Sequence, residues 1–272
     1  MLYGGIENRR ITTTDLLKAK KSGEKWPMIT CYDALTAGIF DEAGFPVLLV
    51  GDSAAMVVYG HDSTIPITSQ ELIPLVAAVE RGSKRAMVVA DLPFGSYQES
   101  PEQALATAIE FMKRGNAHAV KVEGGAHIAP HIKAMTDAGI AVFGHIGLTP
   151  QSVHGMGGYR VQGRGDQAEA LLADAHALVD AGVCAIVIEV VPPEVAKRIA
   201  DAVPVPVIGI GAGNGTDGQV IVWQDLLGIT SGKPAKFVKQ YAQLRGQIAE
   251  AANAWAQDVV SGAYPDKEHS YE

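Results

Sequence analysis

The sequence predicts an α/β protein, a (β/α)8 barrel, on three observations. Short apolar runs alternate with helical patterns along most of the chain. The runs carry little polarity of their own, as expected of strands buried on both faces of a parallel sheet. Polar residues stand instead at the C-terminal ends of the runs, at Asp52, Asp91, Glu123, His145 and Glu189. In a closed barrel those ends meet around one mouth. An open doubly wound sheet is the competing architecture. At 272 residues the chain suits a single domain over 1–272, since one such barrel occupies about 250 residues.

The elements follow in order. Thr12 and Asp15 cap a short N-terminal helix ahead of any strand, placed to cover one end of a barrel. Residues 28–31 form strand one, and Asp33 caps a helix ending before Gly44. Residues 46–53 give strand two, followed by an irregular stretch over 54–66 that could close over a site. Thr68 and Glu71 start a helix to Gly82, and strand three, 86–90, ends at Asp91. Ser100, Pro101 and Gln103 make a strong helix start, and that helix stops at Gly115. Strand four spans 117–123, strand five 140–144, and a glycine-rich loop 148–165. Asp166 is the expected cap of a helix over 168–181 whose Leu171, Leu172, Ala175 and Leu178 share a face. Strands six, seven and eight are placed at 184–188, 205–210 and 219–223. An additional C-terminal helix is expected over 236–260, from the spacing of Phe237, Tyr241, Leu244 and Ile248.

A net charge of -8 argues against nucleic acid or an anionic membrane as partner, because both select basic surfaces. With 47% hydrophobic residues and 19% charged ones the chain can bury a large core. Its two cysteines, Cys31 and Cys184, provide neither a disulfide framework nor a zinc site. No apolar run approaches the ~18 residues of a membrane span, and the first ten residues lack a signal-peptide core. A cytoplasmic protein is expected.

Asp52 and Asp91 end adjacent strands, so two hard oxygen ligands could converge on a divalent cation such as Mg²⁺; the plain alternative is that each caps a helix or pairs with a lysine. Lys121 and Glu123, two apart on one strand, share a face, either as an inert ion pair or as an anion-binding lysine beside a carboxylate in the cation's outer shell. Glu189 ends a run with no other charge. Burial disfavours the charged form of such an isolated carboxylate, which suits proton transfer; a hidden basic partner is the alternative. His145 reads equally as a packing residue or a site residue. His127 and His131 lack a third metal ligand and are expected on an exposed helical face. The run from Gly209 to Gly215 fails the dinucleotide fingerprint and reads as a tight loop.

Several blocks in order then carry a likeness: Val50-Gly51-Asp52-Ser53, Gly60-His61-Asp62-Ser63-Thr64, Ala90-Asp91-Leu92-Pro93-Phe94-Gly95, Val120-Lys121-Val122-Glu123-Gly124-Gly125, Gly144-His145-Ile146-Gly147-Leu148-Thr149-Pro150-Gln151 and Glu189-Val190-Val191-Pro192. Nearly end to end, the sequence resembles the ketopantoate hydroxymethyltransferases. The resemblance implies a TIM barrel that moves a one-carbon unit from 5,10-methylenetetrahydrofolate to the 2-oxo acid 3-methyl-2-oxobutanoate, giving 2-dehydropantoate through a Mg-stabilised enolate in pantothenate and coenzyme A biosynthesis. It implies Mg²⁺ on Asp52 and Asp91 with Glu123 supporting its hydration. Ser53 and Lys121 would hold the substrate carboxylate, His145 would lie near the reacting groups, and Glu189 would take the C3 proton. A homo-oligomer, a decamer built as a pentamer of dimers, is also implied.

The sequence departs from the family pattern at two places. Ala54-Ala55 stands where leucine and glycine are usual, which predicts altered packing of the adjoining loop. Cys31 replaces a usual alanine. A phosphoenolpyruvate mutase or isocitrate lyase relative working without folate is the runner-up, and a non-catalytic metabolite-binding barrel a third reading.

Overall fold

Val47-Leu48-Leu49-Val50 offers no polar position, so a strand made from it needs pairing on both edges and cover on both faces. The computed structural model, which describes residues 1–271, supplies both. Eight parallel strands close into a barrel in sequence order: β1 (Trp26–Thr30), β2 (Val47–Val50), β3 (Met87–Asp91), β4 (Ala119–Glu123), β5 (Val142–Gly147), β6 (Ala185–Glu189), β7 (Val207–Ile210) and β8 (Gly218–Ile221), with β8 paired to β1. The helices are α1 (Thr13–Lys21), α2 (Ala34–Glu42), α3 (Ala54–Val57), α4 (Ser69–Gly82), α5 (Pro101–Arg114), α6 (Ala129–Asp137), α7 (Gln167–Asp180), α8 (Pro193–Ala202), α9 (Trp223–Leu226) and α10 (Leu244–Ser261). The chain divides into two compact units, Met1–Val222, which holds the barrel, and the segment from Trp223 onward.

Side-chain alternation fills the barrel. Val47 and Leu49, Met87 and Val89, Phe143 and Val187 belong to one buried cluster. Leu16 and Ala19 of α1 join it, and Lys20 reaches the Ala200 carbonyl and Asp217, just before β8. The predicted N-terminal helix therefore closes the end opposite the mouth. Its start is held by Asp15, which accepts the Thr12 N–H at 2.9 Å and two Arg9 N–H groups at 2.7 Å. The Arg9 guanidinium, outweighing burial, keeps the Asp15 carboxyl well below the usual range.

Expected caps are present at Asp33, Thr68 and Ser100. Asp166 makes no such cap; its backbone is already helical, so its side chain cannot turn back onto the following N–H groups. The stretch after β2 is not wholly irregular, because α3 begins it. Ala55 is fully buried there in a right-handed conformation open to alanine, so a glycine's freedom is not needed. No helix separates β7 from β8. Strand eight ends at Ile221, before Trp223, and the C-terminal helix begins at Leu244, leaving Phe237 and Tyr241 outside it. The Tyr241 and Leu244 N–H groups bond to the Leu226 and Leu227 carbonyls instead of continuing a helix upstream. Cys31 is buried and Cys184 nearly so, and burial pushes their thiols up to about 11 and about 12. No helix among the described residues is long and apolar enough to cross a membrane.

Candidate active site

Strand parity brings the polar residues together. Ala119 faces the barrel interior, so Lys121 and Glu123 do too, and the same count points Asp91, His145 and Glu189 into the mouth. Asp91 lies in register with Lys121, and Glu123 with His145. Lys121 Nζ sits 2.7 Å from Asp91 Oδ1 and 3.1 Å from His145 Nδ1. His145 Nδ1 is 3.4 Å from Glu123 Oε1, and its Nε2 is 3.3 Å from Glu189 Oε2. Glu189 is thus not isolated; its partner is a histidine rather than a lysine or arginine. His145, undecided in the sequence, is the hub of the group.

The end of β2 completes the mouth. Asp52 donates its N–H to Asp91 Oδ2 at 3.0 Å, and the Ser53 and Tyr32 hydroxyls lie 2.8 Å apart. Gly51 makes room for this crossing: a Cβ there would stand 2.8 Å from Ser53 Oγ and 3.3 Å from Asp91 Oδ2. Immediately after Glu189, Val190 holds φ at +48°, a left-handed conformation costing a β-branched residue about 1–3 kcal/mol. Its N–H bonds the Ile210 carbonyl at 2.9 Å and its carbonyl accepts Gln162 at 3.0 Å, so neighbouring backbone fixes the turn that aims Glu189.

Two residues were not singled out from sequence. Gln151 donates from Nε2 to Asp52 Oδ2 at 2.9 Å and to the Leu92 carbonyl at 3.0 Å, while its backbone N–H reaches Glu123 Oε2 at 3.0 Å. Its Oε1 accepts from Tyr97 Oη at 2.8 Å and Gln98 Nε2 at 3.1 Å. Rotating the amide would set its oxygen against Asp52 Oδ2 and the Leu92 carbonyl and its nitrogen against Gln98 Nε2, so this orientation is the satisfied one. Tyr97 also takes the Glu123 N–H at 3.0 Å. In the sequence Gln151 is only the last letter of a family block, and nothing marks Tyr97.

A Gln151→Leu variant leaves Asp52 Oδ2 and the Leu92 carbonyl short of a partner, at about 1–3 kcal/mol per buried group. Its thermal midpoint is expected to fall by about 2–4 °C for each kcal/mol lost. An unchanged melt would show that the amide ties nothing together.

The electrostatics follow from burial and proximity. Burial, then the Asp91 and Glu123 charges, raise the Asp52 carboxyl well above its ordinary range. Burial also raises Asp91, against the opposing pull of Lys121. For Glu123 burial acts upward, but His145, Lys121 and the Gln151 N–H outweigh it and hold the carboxyl low. Burial and the Lys121 charge act to lower His145, yet Glu123 and Glu189 prevail and lift it to about 9. Lys121 is raised by its carboxylate neighbours despite burial.

Four carboxylates, Asp52, Asp91, Glu123 and Glu189, therefore face two cationic groups, Lys121 and His145. With all four ionised, two negative charges would be left over, and the raised Asp52 carboxyl is where a proton or a cation relieves them. That donor set fits a divalent cation with hard-oxygen preference. Among the described residues no three His, Cys, Asp or Glu side chains converge as a ready-made cage. Mg²⁺ would need only one or two of these carboxylates, with its other positions left to water and substrate. His127 is exposed, as expected, whereas His131 is half-buried.

A closed parallel barrel with carboxylates, a lysine and a histidine converging at the C-terminal mouth defines a barrel enzyme. The profile of the ketopantoate hydroxymethyltransferases matches residues 10–267, and the chain belongs to that family. It is 61% identical over 271 residues to the 3-methyl-2-oxobutanoate hydroxymethyltransferase of Thermobifida fusca, covering 99% of this chain and 96% of that one. To the enzyme of the same name from Saccharopolyspora erythraea it is 60% identical, covering 99% and 92%. Among solved structures the crystal structure of 2,3-dimethylmalate lyase, a PEP mutase/isocitrate lyase superfamily member, shares the fold at a TM-score of 0.60 and 19% identity, over 95% of this chain and 91% of that one.

Proposed function

We propose that this chain transfers a one-carbon unit from 5,10-methylenetetrahydrofolate to 3-methyl-2-oxobutanoate, giving 2-dehydropantoate for pantothenate and coenzyme A biosynthesis. The observation that carries the reading is the pairing of Glu189 with His145 beside Lys121 and the Asp52–Asp91 pair in one mouth. Family membership supplies the reaction class.

Asp52 and Asp91 would hold Mg²⁺, with Glu123 as the nearby carboxylate, and the bound cation would supply positive charge at the keto and carboxylate oxygens of the substrate. Lys121, itself steadied by Asp91, and Ser53, steadied by Tyr32, would hold the substrate carboxylate. Glu189 would remove the C3 proton, and the electron pair would pass toward the keto oxygen, where preorganised positive charge is worth most. His145, bridging Glu123 and Glu189, would hold the base in place. C3 would then bond to the methylene carbon of the donor as the carbon–nitrogen bonds of that methylene break, one water would supply the hydroxyl group, and the proton taken from C3 and the remaining water proton would pass to the two released nitrogens of the departing tetrahydrofolate.

The assembly is proposed as a homo-oligomer, the family's pentamer of dimers. None of α10 is buried, and it presents Trp255 and Val260, side chains that a second copy would cover. A cytoplasmic location goes with the same reading.

The deciding experiment is formation of 2-dehydropantoate by the purified protein, with Mg²⁺ and methylenetetrahydrofolate omitted in turn. Product only in the complete mixture is expected; turnover of the 2-oxo acid without folate would defeat the proposal.

A further inference from the structure

A cavity of about 270 Å³ lies at the rim of the mouth, outside the cluster of catalytic side chains. Its inner wall comes from the ends of β4 and β5 and the residues that follow them. Gly124 and Gly147 line it; Gly124 follows Glu123 at the end of β4, and Gly147 ends β5, the strand that carries His145. Gly124 donates its N–H to the His145 carbonyl at 2.9 Å, and Leu148 donates to the Glu189 carbonyl at 2.8 Å. Gly147 has φ +90°, and a Cβ there would stand 2.4 Å from the Glu189 carbonyl oxygen. At Gly147, beside the Ile146 side chain, main chain packed on the Glu189 carbonyl is what separates the cavity from the mouth.

The outer wall comes from α7, with Ala170 and Leu171 offering apolar surface and Asp174 a carboxylate. Asp174 Oδ1 accepts the Ala126 N–H at 2.7 Å; among the described residues no hydrogen bond engages its Oδ2. Gln162 adds an amide at the edge. A site with apolar and backbone walls and a few polar groups at its edge is shaped for a flat heterocycle.

We infer that this cavity takes the fused-ring end of the one-carbon donor. The inference rests on the function proposed above. A reduced pterin presents an exocyclic amine beside a ring N–H, a donor pair that a carboxylate, an acceptor only, can meet. With the ring against α7, the methylene-bearing nitrogens point across the glycine rim toward the mouth, where the second substrate waits. The 2-oxo acid itself has no need of this space.

Two variants test it in the full-length, Mg²⁺-supplied protein. Ala170→Trp fills the cavity from an exposed position on α7; Asp174→Asn keeps an acceptor for Ala126 and removes the charge. Each is expected to raise the KM for 5,10-methylenetetrahydrofolate by about tenfold or more, the scale of a lost charge-assisted hydrogen bond or a filled site, while the KM for 3-methyl-2-oxobutanoate holds. A parental folate KM in both variants, or a parallel rise in both constants, would overturn the inference. If the parent protein makes no 2-dehydropantoate, the functional reading falls instead. Calorimetric titration with tetrahydrofolate then decides the cavity alone: binding abolished by Ala170→Trp supports it, and binding unaffected by Ala170→Trp overturns it.

Discussion

Glu189→Gln is expected to lower turnover by about 10²–10⁴-fold, the usual worth of a positioned general base, and to stop exchange of the C3 proton of 3-methyl-2-oxobutanoate in deuterated water. The amide keeps the volume of the carboxylate, so His145 Nε2, 3.3 Å from Glu189 Oε2, retains a neighbour able to accept. Substrate affinity should therefore hold, because the groups assigned to the substrate carboxylate, Lys121 and Ser53, are secured elsewhere, by Asp91 and Tyr32. A fall in turnover with an unchanged KM marks an interaction made only as the bond breaks. NMR of the exchanging proton reads the step directly, and parental exchange by Glu189→Gln would remove this residue as the base.

The positions of the site were legible in sequence because each strand there has one grammar: an apolar run, then a polar residue at its C-terminal end. Val88-Val89-Ala90 before Asp91 and Ile186-Val187-Ile188 before Glu189 need only period-two alternation and barrel closure to be aimed inward. What joins them was not legible. Glu189 and His145 meet because β5 and β6 are neighbours at the right height, which no local pattern records. Gln151 lies in a glycine-rich loop where a polar residue is ordinary, and its importance comes from partners as distant in sequence as Asp52. The C-terminal helix was overextended for the opposite reason. Phe237 and Tyr241 keep helical spacing, but backbone bonding from Tyr241 back to Leu226 decides their conformation.

The same buried charge that points to a cation makes the protein's stability a function of pH, and Asp52→Asn isolates it. In the folded state burial, then Asp91 and Glu123, raise the Asp52 carboxyl well above its ordinary range, while in the unfolded chain it titrates near about 3.9. As pH rises above that unfolded value the folded state holds a proton the unfolded chain has released, so stability falls with pH. His145 adds in the same direction at higher pH: its folded value of about 9 exceeds an unfolded value near about 6.5, so its contribution is complete below the unfolded value and is lost as pH rises through the folded one. Glu123, held low, opposes this only toward acid, where its contribution is lost as pH falls.

A divalent cation on Asp52 and Asp91 competes with the Asp52 proton. The melting temperature gained from Mg²⁺ should therefore grow from pH 5 to pH 8, reaching the equivalent of about 2.7 kcal/mol when the ion stands at about 100 times its dissociation constant. Asn at this position preserves the acceptor for Gln151 and removes the charge. The variant should lose the Mg²⁺ gain and 2-oxo acid binding together, yet melt without metal at pH 8 no lower than the parent, because the charge that burial penalised is gone. Thermal melts with and without Mg²⁺ at the two pH values read both arms, and an undiminished Mg²⁺ gain in Asp52→Asn would place the cation elsewhere.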